Sequence, residues 1–158
     1  MNAIELLEGQ HREVEALFEK IEKASGREKK MIFEEIRRQL ELHTKLEEKI
    51  FYPAGREVDE DNTLEAYEEH NVVKDLLKKI STLTPSDESY DAKLTVLKEI
   101  VEHHVEEEEE EYFPECRKAW GDVRLQELGM KMEQMMERED SRSTSKKKKR
   151  ASARRKAA

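Results

Sequence analysis

The sequence predicts an all-α protein, an antiparallel up-down four-helix bundle with a short fifth C-terminal helix and a disordered basic tail. Three observations carry this. Apolar residues recur at alternating steps of three and four along four long segments. Alternation with period two is nearly absent, and only five Gly and three Pro punctuate 158 residues. Hydrophobic residues make up 35% against 43% charged, which suits helices that each bury one stripe.

The first helix is expected from about Asn2 to Ala24, with the stripe Ile4, Leu7, His11, Val14, Phe18 and Ile21. Asn2 and Glu5 have the spacing of a capping box, and Ser25-Gly26 ends the helix. Ser25 and Glu28 offer a second box for a helix carrying Phe33, Ile36, Leu40, His43, Glu47 and Ile50, which Pro53 closes. After a polar connection from Ala54 to Asn62, a third helix starts near Thr63 and shows Ala66, His70, Val73, Leu77 and Ile80. A turn follows, with Ser86 or Asp87 as the next N-cap. The fourth helix shows Leu94, Leu97, Val101, His104 and Glu108 and ends at Pro114. Leu125, Leu128, Met132 and Met135 space a shorter fifth helix, read as a lid over one side of the bundle.

The net charge of −8 hides two unlike pieces. Nine Lys/Arg and no acid lie from Ser141 onward, which leaves residues 1–140 with 21 bases, 38 acids and a net charge of −17. Residues 1–140 are therefore read as the bundle and 141–158 as a separate Lys/Arg-rich tail. Without apolar periodicity the tail is expected to be disordered. Two readings of it stand side by side: weak nonspecific nucleic-acid contact, or a solubilising segment that folds back on the acidic bundle. The N-terminus has no apolar run of the secretory kind, no segment approaches bilayer-spanning length, and Cys116 is the single cysteine. These features place the chain in the cytoplasm and away from the membrane. The sequence leaves its oligomeric state open.

Each of the four stripes carries a metal-capable residue where a leucine would be ordinary. The chain also repeats itself. His11, Val14 and Ile21 match His70, Val73 and Ile80 at a shift of 59, and His43 and Glu47 match His104 and Glu108 at a shift of 61. Each half is thus a helical hairpin with one His on its first helix and a His-x-x-x-Glu on its second. Residues at i and i+4 share a helix face, so His43 with Glu47, and His104 with Glu108, each converge on one point. A buried unpaired carboxylate is costly, and a cation compensates two at once. His11, His43, Glu47, His70, His104 and Glu108 are accordingly the expected metal ligands. His103 with Glu107 has the same spacing, but the apolar stripe and the alignment of Pro53 with Pro114 select His104. His103 is read as a flanking residue. The remaining glutamates of the run Glu106–Glu111 are read as a solvated face, and Tyr52, Tyr112 and Phe113 as hydrophobic plugs.

In this pattern (His11, then His43-x-x-x-Glu47 into IFYP, then His70, then His104-x-x-x-Glu108 into EYFP) the sequence resembles the hemerythrin-like, or HHE cation-binding, family. The resemblance spans roughly residues 1–115. It implies two Fe ions in an oxo- or hydroxo-bridged di-iron centre, with the four histidines as terminal ligands and Glu47 and Glu108 as bridges. Oxygen-carrying hemerythrins have a further histidine one turn after the third-helix ligand, where this chain has Lys74. Fewer ligands imply open iron positions and reactivity rather than oxygen carriage. The bacterial single-domain form of the family is linked to O2, peroxide or nitric oxide handling in oxidative and nitrosative stress, with peroxide decomposition as the enzymatic variant. The alternatives are an iron- or oxygen-responsive sensor module and an iron-sulfur cluster repair protein. Repair proteins commonly add a cysteine-bearing N-terminal region, whereas this sequence opens directly on the first helix.

Overall fold

The computed structural model describes residues 1–157, and they contain no strand. Helix α1 spans Ala3–Glu22, α2 Gly26–Leu46, α3 Tyr52–Gly55, α4 Glu60–Ser81, α5 Tyr90–Glu107 and α6 Phe113–Lys156. Helices α1 and α2 pack as one hairpin and α4 and α5 as another, while α6 lies along α1.

Capping explains most of the boundaries. Asn2 accepts from the Glu5 N–H at 3.0 Å, and Glu5 accepts in return from the Asn2 N–H at 3.1 Å, so the expected box is present. The second expected box does not form. Ser25 sits at the N-cap of α2 without a side-chain bond, and the chain enters that helix through Gly26 at φ 54°. Helix α4 starts three residues earlier than expected because Asp59 caps it, accepting from the Asn62 N–H at 3.0 Å. Asp87 is spent on the preceding turn, where it accepts from the Thr84 N–H, so Ser89 takes the cap position of α5.

The two prolines do not end their helices as expected. Each follows a π-helical turn, one over Glu47–Phe51 and one over Glu108–Tyr112, through which the chain continues into α3 and α6. The N–H of Tyr52 donates to the carbonyl of Glu47, and that of Phe113 to the carbonyl of Glu108, five residues back in both cases. Pro53 and Pro114 then fall in the first turn of a new α segment, where a missing N–H costs little. Both π turns begin at the expected carboxylate ligand, and such bulges concentrate at functional sites.

Helix α6 also departs from the expected short fifth helix and disordered tail. It leaves the second π turn directly, kinks at Gly121 (φ 65°, ψ 179°) and continues as helix to Lys156. Its Leu125, Leu128 and Met132 are buried against Ala3, Ile4 and Leu7, so its first part does cover one side of the core. At Gly129 the approach to the N-terminus is so close that a Cβ would lie 2.3 Å from the Met1 carbonyl oxygen. From Ser141 to Ala157 every residue is exposed. The helix there rests on local preference: Ala, Lys and Arg are strong helix formers, and cations suit a helix C-terminus.

The core has two apolar clusters with no residue in common. One joins Ile4, Leu7, Leu46, Phe51, Tyr112 and Phe113 to α6, and the other joins Val14, Phe18, Phe33, Ile36, Val73, Leu77, Leu97 and Val101. Buried polar residues separate them, since His11 follows Leu7 and precedes Val14, and His43 lies between Leu40 and Leu46.

Candidate metal centre

All six expected residues meet in this polar layer, and all are buried. Helices α1 and α2 supply His11 and His43, whose Nε2 atoms are 3.3 Å apart. Helices α4 and α5 supply His70 and His104, whose Nε2 atoms are 3.1 Å apart. The carboxylates cross between the hairpins. Glu47 Oε2 lies 3.1 Å from both His43 Nε2 and His70 Nε2. Glu108 Oε2 lies 3.4 Å from His11 Nε2 and 3.5 Å from His104 Nε2. Donor atoms of His11, His43, Glu47 and Glu108 fall within 4.8 Å of one another, and so do those of Glu47, His70 and His104.

Each imidazole is aimed by an outer partner on its Nδ1. Glu109 Oε1 lies 2.8 Å from His11, Gln10 Oε1 2.9 Å from His43, and Glu48 Oε1 3.1 Å from His70, while Glu69 holds His104. Arg12 pairs with Glu109 and Lys74 with Glu48, so two of these carboxylates are themselves anchored. Such outer contacts fix ring orientation and leave Nε2 facing inward. The sequence pattern does not single out these four residues, and it places Glu109 on a solvated face. Their signal was the repeat itself: Gln10 and Glu69 each precede the first-helix histidine, and Glu48 and Glu109 each follow the second-helix carboxylate.

Tyr52 is the residue whose role the sequence misread. Its hydroxyl reaches the middle of the layer, 2.8 Å from Glu108 Oε1, 3.2 Å from Glu47 Oε2 and 3.1 Å from His70 Nε2. In a regular α-helix Glu47 and Tyr52 would point about 140° apart. The π turn between them removes that divergence. Its repeat mate Phe113 has no hydroxyl and stacks on His11 with ring centroids 5.9 Å apart. The two half-sites therefore differ in polarity. His103, by contrast, is 60% exposed and lies outside the layer, beside Glu107.

The electrostatics fit a cation. Burial would lower the pKa of His11, but Glu108 and Glu109 outweigh it and hold it at about 9. Burial likewise opposes the charge on His104, and Glu108 and Glu69 raise its pKa to about 9. Burial holds the pKa of His43 down despite Glu47. Burial would raise Glu47, yet His43 and His70 keep it well below the usual carboxylate range. Glu47 Oε1 and Glu108 Oε2 make no hydrogen bond although both are buried. Both carboxylates are ion-paired to histidines, and a buried acceptor atom still left without a hydrogen bond costs about 1–3 kcal/mol. Four inward-facing imidazole nitrogens beside two buried carboxylates are donors that could hold a metal ion. On the side of the second apolar cluster, the four histidines border a cavity of about 20 Å³ lined by Val14, Leu40, Val73, Val101 and Val105.

Residues 2–116 match the family described as the hemerythrin HHE cation binding domain. The chain belongs to this family. Among solved structures it is similar to a hemerythrin HHE cation-binding domain-containing protein of Mycobacterium kansasii, with 30% identity and a TM-score of 0.77 over 87% of this chain and 86% of the other. It is 27% identical over 135 residues to an uncharacterised protein of Mycobacterium tuberculosis, covering 84% of this chain and 83% of that one. It is also 30% identical over 119 residues to a protein of Nostoc sp. named DNA nickase. That alignment covers 74% of the HHE chain but only 34% of the relative. No helix among the described residues is long and apolar enough to cross a membrane.

Proposed function

We propose that the chain is a non-haem di-iron protein that binds and reduces a small oxidant, O2, peroxide or nitric oxide, in an up-down hemerythrin bundle. The observation that carries this reading is the convergence of four buried Nε2 atoms on two buried carboxylates, with Glu47 Oε1 left without a hydrogen-bond partner. His11 with His43 would hold one ion, His70 with His104 the other, and Glu47 and Glu108 would bridge them. Mixed imidazole and carboxylate donors suit iron, and Fe(II) held by these six residues would supply the electrons that reduce such a molecule, becoming Fe(III).

The chain's own residues account for selectivity. A cavity of about 20 Å³ admits a guest near the size of a water molecule and excludes organic substrates. Its valine and leucine walls keep bulk water away. Tyr52 keeps its proton, because burial and the two carboxylates raise its pKa well above the usual value. Its hydroxyl thus places one proton at Glu108 Oε1 and leaves the cavity side of the layer free. Lys74, at the position where oxygen-carrying hemerythrins have a further histidine, is paired with Glu48, so the His70 side would have one protein ligand fewer. Peroxide decomposition is the enzymatic form this favours.

Residues 1–140 would suffice for this function. The single cysteine, Cys116, is buried with its thiol pushed up to about 12, so it is a poor nucleophile and takes no part in the proposed chemistry. The exposed cations from Arg142 to Lys156 favour weak, sequence-independent contact with nucleic-acid phosphates. Salt-sensitive duplex binding that vanishes when residues 141–158 are removed is the expected result, and equal binding without them would remove that reading. For the centre itself, anaerobic Fe(II) loading should give two irons per chain, and stopped-flow spectra with O2, peroxide and nitric oxide identify the reacting ligand. A protein that takes up no iron sinks the proposal.

A further inference from the structure

One residue before the buried pair, and so about 100° round the helix, His103 and Glu107 repeat on the surface of α5 the spacing of His104 and Glu108. His103 Nε2 lies 3.1 Å from Glu107 Oε1 and 3.8 Å from Glu69 Oε1 on the neighbouring α4. One donor atom from each of the three falls within 4.8 Å of the others. Glu69 uses its second oxygen, Oε2, to hold His104 Nδ1. Among the described residues no Lys or Arg pairs with Glu69 or Glu107, although most other ion-paired glutamates have such a partner.

The internal repeat shows that this set is particular to the second hairpin. The equivalent positions in the first hairpin are Gln10, Leu42 and Leu46. There Leu46 is buried, Leu42 packs against the cluster that includes α6, and Gln10 lies 4.0 Å from Met136 Sδ. Helix α6 covers the first hairpin at these positions. On the second hairpin the same positions carry two carboxylates and an imidazole, and His103 is 60% exposed.

We propose that Glu69, His103 and Glu107 form a second, outer site for a divalent transition-metal ion. Three protein donors, two oxygens and one nitrogen, leave several coordination positions to water, so the ion exchanges readily with solvent. Glu69 joins the outer ion to the buried centre, since one oxygen would face the ion while the other holds His104.

Zn2+ titration by isothermal calorimetry, on protein first loaded with iron and checked for iron retention by elemental analysis, tests this. Wild type should bind one Zn2+ per chain that His103→Ala and Glu107→Gln bind at least about tenfold more weakly. Iron content should be the same in wild type and His103→Ala, because that ring lies outside the core. Identical Zn2+ binding in wild type and both variants overturns the proposal, as does uptake that releases iron one for one. All six buried residues are present in every protein compared, so failure of the buried centre would appear separately, as absent iron before any Zn2+ is added.

Discussion

Replacing Tyr52 with phenylalanine removes one oxygen atom from the middle of the polar layer and leaves the ring packing unchanged. In the metal-free protein that hydroxyl is a hydrogen-bond donor to Glu108 Oε1 at 2.8 Å and lies 3.2 Å from Glu47 Oε2. Both carboxylates are buried, with exposures of 0% for Glu47 and 2% for Glu108, so water cannot take over. A hydrogen bond to a charged group contributes about 1.5–3 kcal/mol. In a chain of this size each kcal/mol moves Tm by about 2–4 °C, which gives a loss of roughly 3–12 °C for metal-free Tyr52→Phe. With metal bound, the carboxylate charge is shared with the ions. The hydroxyl should then contribute only about 0.5–1.5 kcal/mol, the range for an ordinary hydrogen bond. Thermal melts followed by far-UV circular dichroism, on both proteins with and without metal, measure the difference directly. Equal melting temperatures in the metal-free state, or a loss at least as large with metal as without, would refute the reasoning.

Three further outcomes follow from the same geometry. His11 and His104 have their pKa raised to about 9 in the folded metal-free protein. Their stabilising charge is therefore fully present below the unfolded value near 6.5 and is lost as pH rises through about 9. Urea midpoints of metal-free protein should fall over that interval, and those of metal-loaded protein, whose imidazoles would be neutral with Nε2 on the metal and keep only the Nδ1 proton, should not. Gly129→Ala places a methyl group against the Met1 carbonyl and should cost about 1–3 kcal/mol by prising α6 from α1, read as a lower urea midpoint. Removing residues 141–158 should change stability by less than about 0.5 kcal/mol, since the removed side chains from Ser141 to Ala157 are exposed. A larger loss on thermal denaturation would show that the basic end packs on the bundle.

What could be read from the sequence was whatever periodicity encodes. The stripes placed His11, His43, His70 and His104 on inward faces, and the repeat chose His104 over His103, which does lie at the surface. Asn2 and Glu5 form their capping box because every atom involved is local. Tyr52 was misread because its position depends on a π turn, and an α-helical wheel places it on another face. The prolines were read as stops for the same reason. Ser25 failed as a side-chain cap where Gly26 turned the chain, and α6 carries helix past Asp140, where no apolar pattern could announce it. Glu109 shows the other limit. It is one of six consecutive glutamates, and only the pairing with His11 and Arg12 in three dimensions separates it from its exposed neighbours Glu110 and Glu111.

Anomalous diffraction at the iron edge, from crystals of the anaerobically loaded protein, tests the central claim most directly. Two peaks are expected, one within bonding distance of His11 and His43 and one of His70 and His104, with Glu47 and Glu108 reaching both. A single peak, or peaks away from these six side chains, would contradict the account.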